Sequence, residues 1–187
     1  MEILAKKQFL ASKKYIKKIQ AGAVFIYPTD TIYGLGCDAT NSKAVKKIRA
    51  IKQRSGKPFS VAVPSKKWIK DNCLLSAEAE KWLKKLPGPY TLLLRLNNKK
   101  AVAKEVTKTK ILGVRIPKNW FSEVTALDFP MVSTSVNITT EPHMTSLQSL
   151  NPKIAPKVDF IIYEGKKAGR PSKIVKLYDE KIQVIKR

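Results

Sequence analysis

Acidic side chains are scarce in this chain. Fourteen Asp and Glu stand against 37 Lys and Arg, with one histidine and two cysteines among 187 residues. Each shortage closes off a class of protein. Cys37 and Cys73 are far apart and form no metal-binding spacing, so they read as reduced thiols of a cytoplasmic protein and not as a disulfide framework. The lone histidine, His143, leaves Ser-His-Asp acyl-enzyme chemistry without support. No apolar run approaches the roughly 18 residues of a membrane span, and residues 1–22 are too rich in lysine for a secretory signal. A Walker loop and a GxGxxG are both missing, so any nucleotide site must be of another kind. There is no internal repeat and no long linker, and the length suits one domain over residues 1–187 with a real core.

Lysine is what the chain has in excess. A net charge of +23 predicts a positive field that concentrates polyanions such as RNA, DNA or ATP. The charge is spread as Lys-Lys pairs, for example Lys13-Lys14 and Lys166-Lys167, so a lysine-biased or heat-adapted surface accounts for it as well.

The chain is organised around residues 25–58. An apolar strand over 24–27 must end at Pro28, which offers no ladder donor. Thr29, Asp30, Thr31, Tyr33, Gly34 and Gly36 then put hydroxyls, a carboxylate and flexible backbone past the strand's carboxyl end, where ligands bind in open α/β sheets. A helix follows, capped by Asn41 or Ser42, with Ala44, Val45, Ile48 and Ile51 on one stripe. Lys52, Arg54 and Lys57 leave its end and suit an anion. Lys52 and Arg54 share a face if the chain is extended there.

Elsewhere, residues 1–22 read as the first helix, with Phe9, Ile16 and Ile19 inward and Gly22 at its C-terminal cap. Strands are expected over 59–63, 90–96, 111–116, 131–134, 158–163, 172–177 and 181–185. Helices are expected over 65–71, from Ser76 to Leu86, over 119–127 with Trp120, Phe121 and Val124 inward, and briefly after Thr145. Alternating strands and helices argue an α/β fold with a twisted, mixed parallel and antiparallel sheet. Three polar clusters sit at strand ends: residues 29–57, Arg115, and residues 133–137. Arginine's planar fork suits a carboxylate or phosphate, and Ser135 and Asn137 project from one face of an extended segment.

Simpler roles compete. Lys52 and Arg54 can form a solvated helix end. Arg115 can pair with Asp30 or Glu123, and Thr31, Ser135 and Asn137 can satisfy their own turns. His143 reads as a surface-loop residue, and Trp68, Trp82 and Trp120 as core or half-buried anchors.

The segments YPTDTIYGLGCDA, KQRSGKP, LPGPYTLLL, GVRIP and STSVN, in that order, resemble the YrdC-like family of threonylcarbamoyl-AMP synthases over about residues 22–177. The resemblance implies a compact single domain with flanking helices and a concave basic face. It also implies a cytoplasmic nucleotidyltransferase that makes threonylcarbamoyl-AMP and pyrophosphate from L-threonine, bicarbonate or CO2, and ATP. The product would serve the N6-threonylcarbamoyladenosine modification of tRNA position 37, with possible binding of double-stranded RNA or tRNA and hand-over to a threonylcarbamoyl transferase complex. Mg2+ is expected through the ATP phosphates, without protein ligands.

By position, the resemblance assigns Lys52 and Arg54 as catalytic. Threonine falls to Thr31, Tyr33, Arg115, Ser135 and Ser172, and ATP to Lys52, Arg54, Lys57, Asn137 and Thr145. No protein base is implied, since an unprotonated amine suffices. The chain departs from the family at Val136, at 138–140, at Lys173 and Lys176, and in lacking a histidine near Ala62. Because Thr140 takes left-handed angles only at a cost, the loop after Asn137 is expected on a different path. Two alternatives remain: an RNA-binding module of this fold without catalysis, and a paralogue using a different carbamoyl-adenylate.

Overall fold

The computed structural model describes residues 1–121, 128–179 and 181–186. A strand, β1 (Glu2–Leu4), precedes α1 (Lys6–Leu10) and α2 (Lys14–Gln20) where one helix was expected. The break has a local cause: the Ser12 hydroxyl accepts from Lys14 N at 3.2 Å, competing with the helical ladder. Gly22, at φ +96°, closes α2 as expected. Then come β2 (Phe25–Pro28), β3 (Tyr33–Gly36), α3 (Ser42–Ile51), β4 (Ser60–Ala62), α4 (Lys66–Asn72), β5 (Cys73–Leu74) and α5 (Ala77–Lys84). The remaining elements are β6 (Tyr90–Leu96), β7 (Ile111–Arg115), β8 (Met131–Ser135), β9 (Phe160–Ile162), β10 (Lys173–Lys176) and β11 (Gln183–Ile185), with short 3-10 turns at Leu147–Ser149 and Ala155–Lys157.

Side chains at the helix starts explain where they begin. Asn41 Oδ1 accepts from Ala44 N at 3.1 Å, Ser65 Oγ from Trp68 N at 3.0 Å, and Ser76 Oγ from Ala79 N at 3.2 Å. Each such cap is worth about 1 kcal/mol. Ala44, Val45, Ile48 and Ile51 are all buried, as their spacing predicts.

The strands form one path, β1-β9-β2-β3-β8-β4-β7-β6-β10-β11, with β5 beside β6. Parallel pairs (β4 with β7, β6 with β10) occur beside antiparallel ones (β2 with β3, β6 with β7), which gives the mixed sheet expected. The turn after β2 is therefore one end of a hairpin and does not lead directly into a helix. β3 forms a strand where the sequence pattern predicts a turn. Two of its four residues are glycine, which leaves little side-chain alternation to detect.

Alternation divides the sheet's faces. Val61, Leu92, Leu94, Leu112, Val114 and Val132 join the core that contains the buried stripe of α3. On the other face, Phe9, Tyr15 and Ile19 from α1 and α2 pack with Phe25, Tyr27 and Phe160, covering one end of the sheet. Phe121 belongs to this cluster and Trp120 packs against it, as expected. The rest of the helix expected over 119–127, Val124 included, lies outside the described residues. Trp68 and Trp82 are half-buried against the main core. Among the described residues, no helix is long and apolar enough to cross a membrane.

Candidate active site

The uncovered part of that second face floors a cavity of about 440 Å³. Alternate residues of the central strands line it: Thr91 and Leu93 from β6, Ile111, Gly113 and Arg115 from β7, Ser133 and Ser135 from β8, where Thr134 borders it too. Gly113 keeps the floor open. A Cβ there would stand 2.7 Å from Ser60 Oγ and 3.2 Å from the Leu93 and Thr91 side chains. Thr31 and Tyr33 form one wall, Arg54 and Phe59 another, and Asn137, His143 and Ser172 complete the lining.

Lys52 and Arg54 reach this region by an unforeseen route. Gln53 N donates to Ala50 O at 3.1 Å and Arg54 N to Arg49 O at 3.0 Å, with Gln53 at φ +48°. That pair of bonds is the Schellman closure of a helix, so the segment is not extended. The two side chains part company. Arg54 lines the cavity, its Nη2 donating to Pro58 O at 2.6 Å and its guanidinium 5.1 Å from the Phe59 ring. Arg49, not singled out from the sequence, lies 4.6 Å from the same ring and donates to Arg54 O and Lys57 O, both at 3.2 Å, shaping the turn.

Lys52 turns inward and is only 1% exposed. Its Nζ donates to Ser135 O at 2.6 Å and to Asn137 O and Oδ1, each at 2.8 Å. In return, Thr139 N and Oγ1 bind Lys52 O at 3.1 and 2.9 Å. Lys52 does not line the cavity, and its three N–H groups already have three acceptors. It is thus a clamp between α3 and the loop after β8, in place of the expected direct phosphate contact. Burial, and secondarily Arg54, pull its ammonium down from 10.5 to about 7. The three oxygens act in the opposite sense, because a neutral amine has two hydrogens and would face one of them with a lone pair.

The clamp holds a small network. Ser135 Oγ donates to Asn137 Oδ1 at 2.6 Å, and Asn137 Nδ2 to Glu141 O at 2.6 Å. The following turn closes through Glu141 N to Ile138 O at 3.0 Å, with Thr140 at φ +79°. Contrary to expectation, Thr140 occupies the left-handed position itself. Holding a β-branched residue there costs about 1–3 kcal/mol. Thr140→Gly is accordingly expected to raise stability by about 1 kcal/mol after glycine's larger unfolded-state entropy is subtracted, as read from chemical denaturation midpoints.

Arg115 is buried and paired: Nη2 donates to Asp30 Oδ1 at 2.5 Å, while Lys118 N donates to Asp30 Oδ2 at 3.1 Å. The alternative partner, Glu123, lies outside the described residues. Buried Arg115 Nε meets no acceptor among the described residues. Thr31 N donates to Thr29 Oγ1 at 3.1 Å, and the two threonine hydroxyls are 3.0 Å apart. Ser172 Oγ lies 2.8 Å from Thr91 Oγ1. Tyr33 donates to Gly165 O at 2.7 Å, and burial pushes its hydroxyl up to about 12.

Residues 164–172 run along the Thr31 wall. Lys167 N donates to Thr145 O at 2.8 Å and Lys167 Nζ to Thr29 O at 3.0 Å. At Gly169 a Cβ would stand 2.0 Å from Thr31 O. Gly169→Ala must therefore push this wall aside, and affinity for a ligand held against Thr31 is expected to fall about tenfold or more with the fold retained, as read from binding titrations beside circular dichroism.

Besides Lys52, two further expected ATP contacts lie off the cavity. Lys57 is exposed, and Thr145 directs its N–H to Ser149 Oγ at 2.9 Å because the loop bends into a 3-10 turn there. His143, expected on the surface, lines the cavity. Thr29 and Ser133, expected in the polar clusters at strand ends, line the cavity as well, Ser133 by the alternation that exposes Ser135; Thr91 is a lining residue that the sequence did not single out.

Known proteins share this sequence and this fold. A family model, Sua5/YciO/YrdC, described as telomere recombination, matches residues 17–187. The chain belongs to the Sua5/YciO/YrdC family. Among its relatives is a Methanocaldococcus jannaschii protein, provisionally named threonylcarbamoyl-AMP synthase, 35% identical over 89% of this chain and 80% of that protein. A threonylcarbamoyl-AMP synthase of Pseudoalteromonas atlantica is 30% identical over 82% of this chain and 86% of its own length. The crystal structure of P. abyssi Sua5 complexed with L-threonine superposes with a TM-score of 0.86 at 25% identity, covering 98% of this chain. This family member spans only 56% of that Sua5 chain.

Proposed function

We propose that the protein is an L-threonylcarbamoyladenylate synthase, forming threonylcarbamoyl-AMP and pyrophosphate from L-threonine, CO2 or bicarbonate, and ATP carried with Mg2+. The observation that carries this reading is one cavity bearing two arginines and a clamped Ser135–Asn137 pair, in a chain whose relatives bear that name.

The chemistry asks for what the cavity offers. The amine of threonine and CO2 give a carbamate, whose oxygen attacks the α-phosphorus of ATP and expels pyrophosphate. Both reactants are anions, so the enzyme must offset their repulsion and hold them in line. Arg115, steadied by Asp30, takes the threonine carboxylate, and the hydroxyls of Thr31, Ser135 and Ser172 orient the amino acid. Arg54 and Asn137 face the triphosphate, with Lys52 fixing Asn137 from behind. Among the described residues the lining offers hydroxyls, an amide and guanidinium groups but no carboxylate, which suits a magnesium ion that arrives on the ATP phosphates.

Incubating the purified protein with ATP, Mg2+, bicarbonate and threonine is expected to release pyrophosphate and form the adduct only when threonine is present. A folded protein that releases neither overturns the reading. A second role draws on Lys13, Lys14, Lys17 and Lys18, which crowd one shallow hollow beside α2. These lysines suit RNA phosphates, as in delivery of the product toward tRNA, and binding of this kind weakens steeply with salt.

A further inference from the structure

We infer that His143 is the proton acceptor for the amine of the amino-acid substrate, and so a catalytic residue in forming the carbamate. The inference rests on the function proposed above. It starts from what that reaction releases. Threonine near neutral pH carries an ammonium, which cannot attack CO2. Going from ammonium and CO2 to the carbamate liberates two protons, and the first must leave before the nitrogen has a lone pair to use.

Of the described residues lining the cavity, four have side chains with ionisable N–H or O–H groups: Tyr33, Arg54, Arg115 and His143. Arginine stays protonated throughout the useful range. Tyr33 has its hydroxyl pushed up to about 12 and committed to Gly165 O. The carboxylate of Asp30, behind the lining residue Arg115, has one oxygen bound to Arg115 and the other to Lys118 N. Imidazole alone in this set is a side chain of the type that takes up and releases protons near neutrality.

Position agrees with chemistry. Met144 N donates to Val136 O at 2.9 Å, which seats His143 beside the Ser135–Asn137 segment. That segment joins the residue assigned to threonine (Ser135) to the one assigned to ATP (Asn137), and the carbamate must form and react at this seam. Among the described residues, the charged groups around it are Arg54 and Arg115 in the same lining, Lys167 on the wall segment, and Glu141 on the same loop, whose carboxylate takes Asn151 Nδ2 at 2.6 Å.

The step balances. A ring nitrogen of His143 takes one proton from the ammonium. The freed lone pair forms the N–C bond to CO2 as a C=O π pair moves onto oxygen. The second N–H proton leaves to water, and His143 returns its own proton to solvent for the next turnover.

The test compares wild type, His143→Asn, His143→Gln and His143→Ala for threonine-dependent pyrophosphate release from pH 6 to pH 10, with circular dichroism checking the fold. At neutral pH both the Asn and Gln variants are expected to lose about 100-fold in kcat/KM for threonine while the KM for ATP stays within about twofold. The deficit should shrink as pH rises through the substrate amine's own pKa, where no acceptor is needed, and added imidazole should restore part of the Ala variant's rate. Equal activity of variants and wild type, or a loss that is constant with pH and indifferent to imidazole, overturns the inference. Wild type without threonine-dependent pyrophosphate overturns the functional reading beneath it.

Discussion

Replacing Lys52 by methionine is expected to lower stability by about 2–4 kcal/mol and activity by about 100-fold or more. Two terms compete. Removing a desolvated ammonium is favourable, as its lowered pKa implies. Against that, Ser135 O, Asn137 O and Asn137 Oδ1 each lose a charged donor at 2.6–2.8 Å, while both residues remain at least partly shielded from water. Three bonds to a charged group outweigh one buried cation without a carboxylate partner. Freed of the clamp, Ser135 and Asn137 lose their positions, so kcat is expected to fall together with the denaturation midpoint. If Lys52 instead bound phosphate directly, methionine would leave stability unchanged or raise it while only ATP-dependent parameters suffered. Lys52→Arg should not rescue, because a planar fork cannot aim at three oxygens spaced around a single nitrogen.

The second large effect concerns Arg115 and Asp30, whose side chains are 7% and 8% exposed. Arg115→Leu leaves a carboxylate buried without its cation, which is expected to destabilise the protein by about 3–5 kcal/mol. Adding Asp30→Leu removes the stranded charge and should recover most of that loss. Threonine affinity, by contrast, should fall about 100-fold in the single variant and stay down in the double, since the carboxylate's planar partner is gone in both. Calorimetric threonine titrations beside denaturation curves separate the two roles. Recovery of threonine binding in the double variant would mean that Arg115 serves only the fold.

Much of this arrangement is legible in the sequence, and the exceptions have identifiable physical causes. Asn41 and Ser76 announce helix starts through local bonds, and the stripe on α3 has a 3.6-residue period, so those elements read correctly. β3 does not, because its glycines leave the strand period almost nothing to act on. β1 and β5, of three and two residues, are too short for any period to emerge.

The site divides along the same line. Thr31, Arg115, Ser135, Asn137 and Ser172 follow strand alternation or strand ends, and the fold gathers them as expected. Lys52 misleads because a lysine in a run of cations at a helix end reads as facing an anion or solvent, not as buried. Its burial depends on the left-handed Gln53 and on a loop more than 80 residues away in the chain. His143 misleads for a related reason. Where it stands is decided by the Met144–Val136 bond, and local composition carries no trace of that contact.

A crystal soaked with L-threonine and a non-hydrolysable ATP analogue puts these assignments to the test together. The account predicts threonine with its carboxylate on Arg115 and its hydroxyl among Thr31, Ser135 and Ser172, and the triphosphate against Arg54 and Asn137, with Lys52 Nζ still held by Ser135 O and Asn137. Density for either molecule outside this cavity, or Lys52 swung out onto a phosphate, would contradict it.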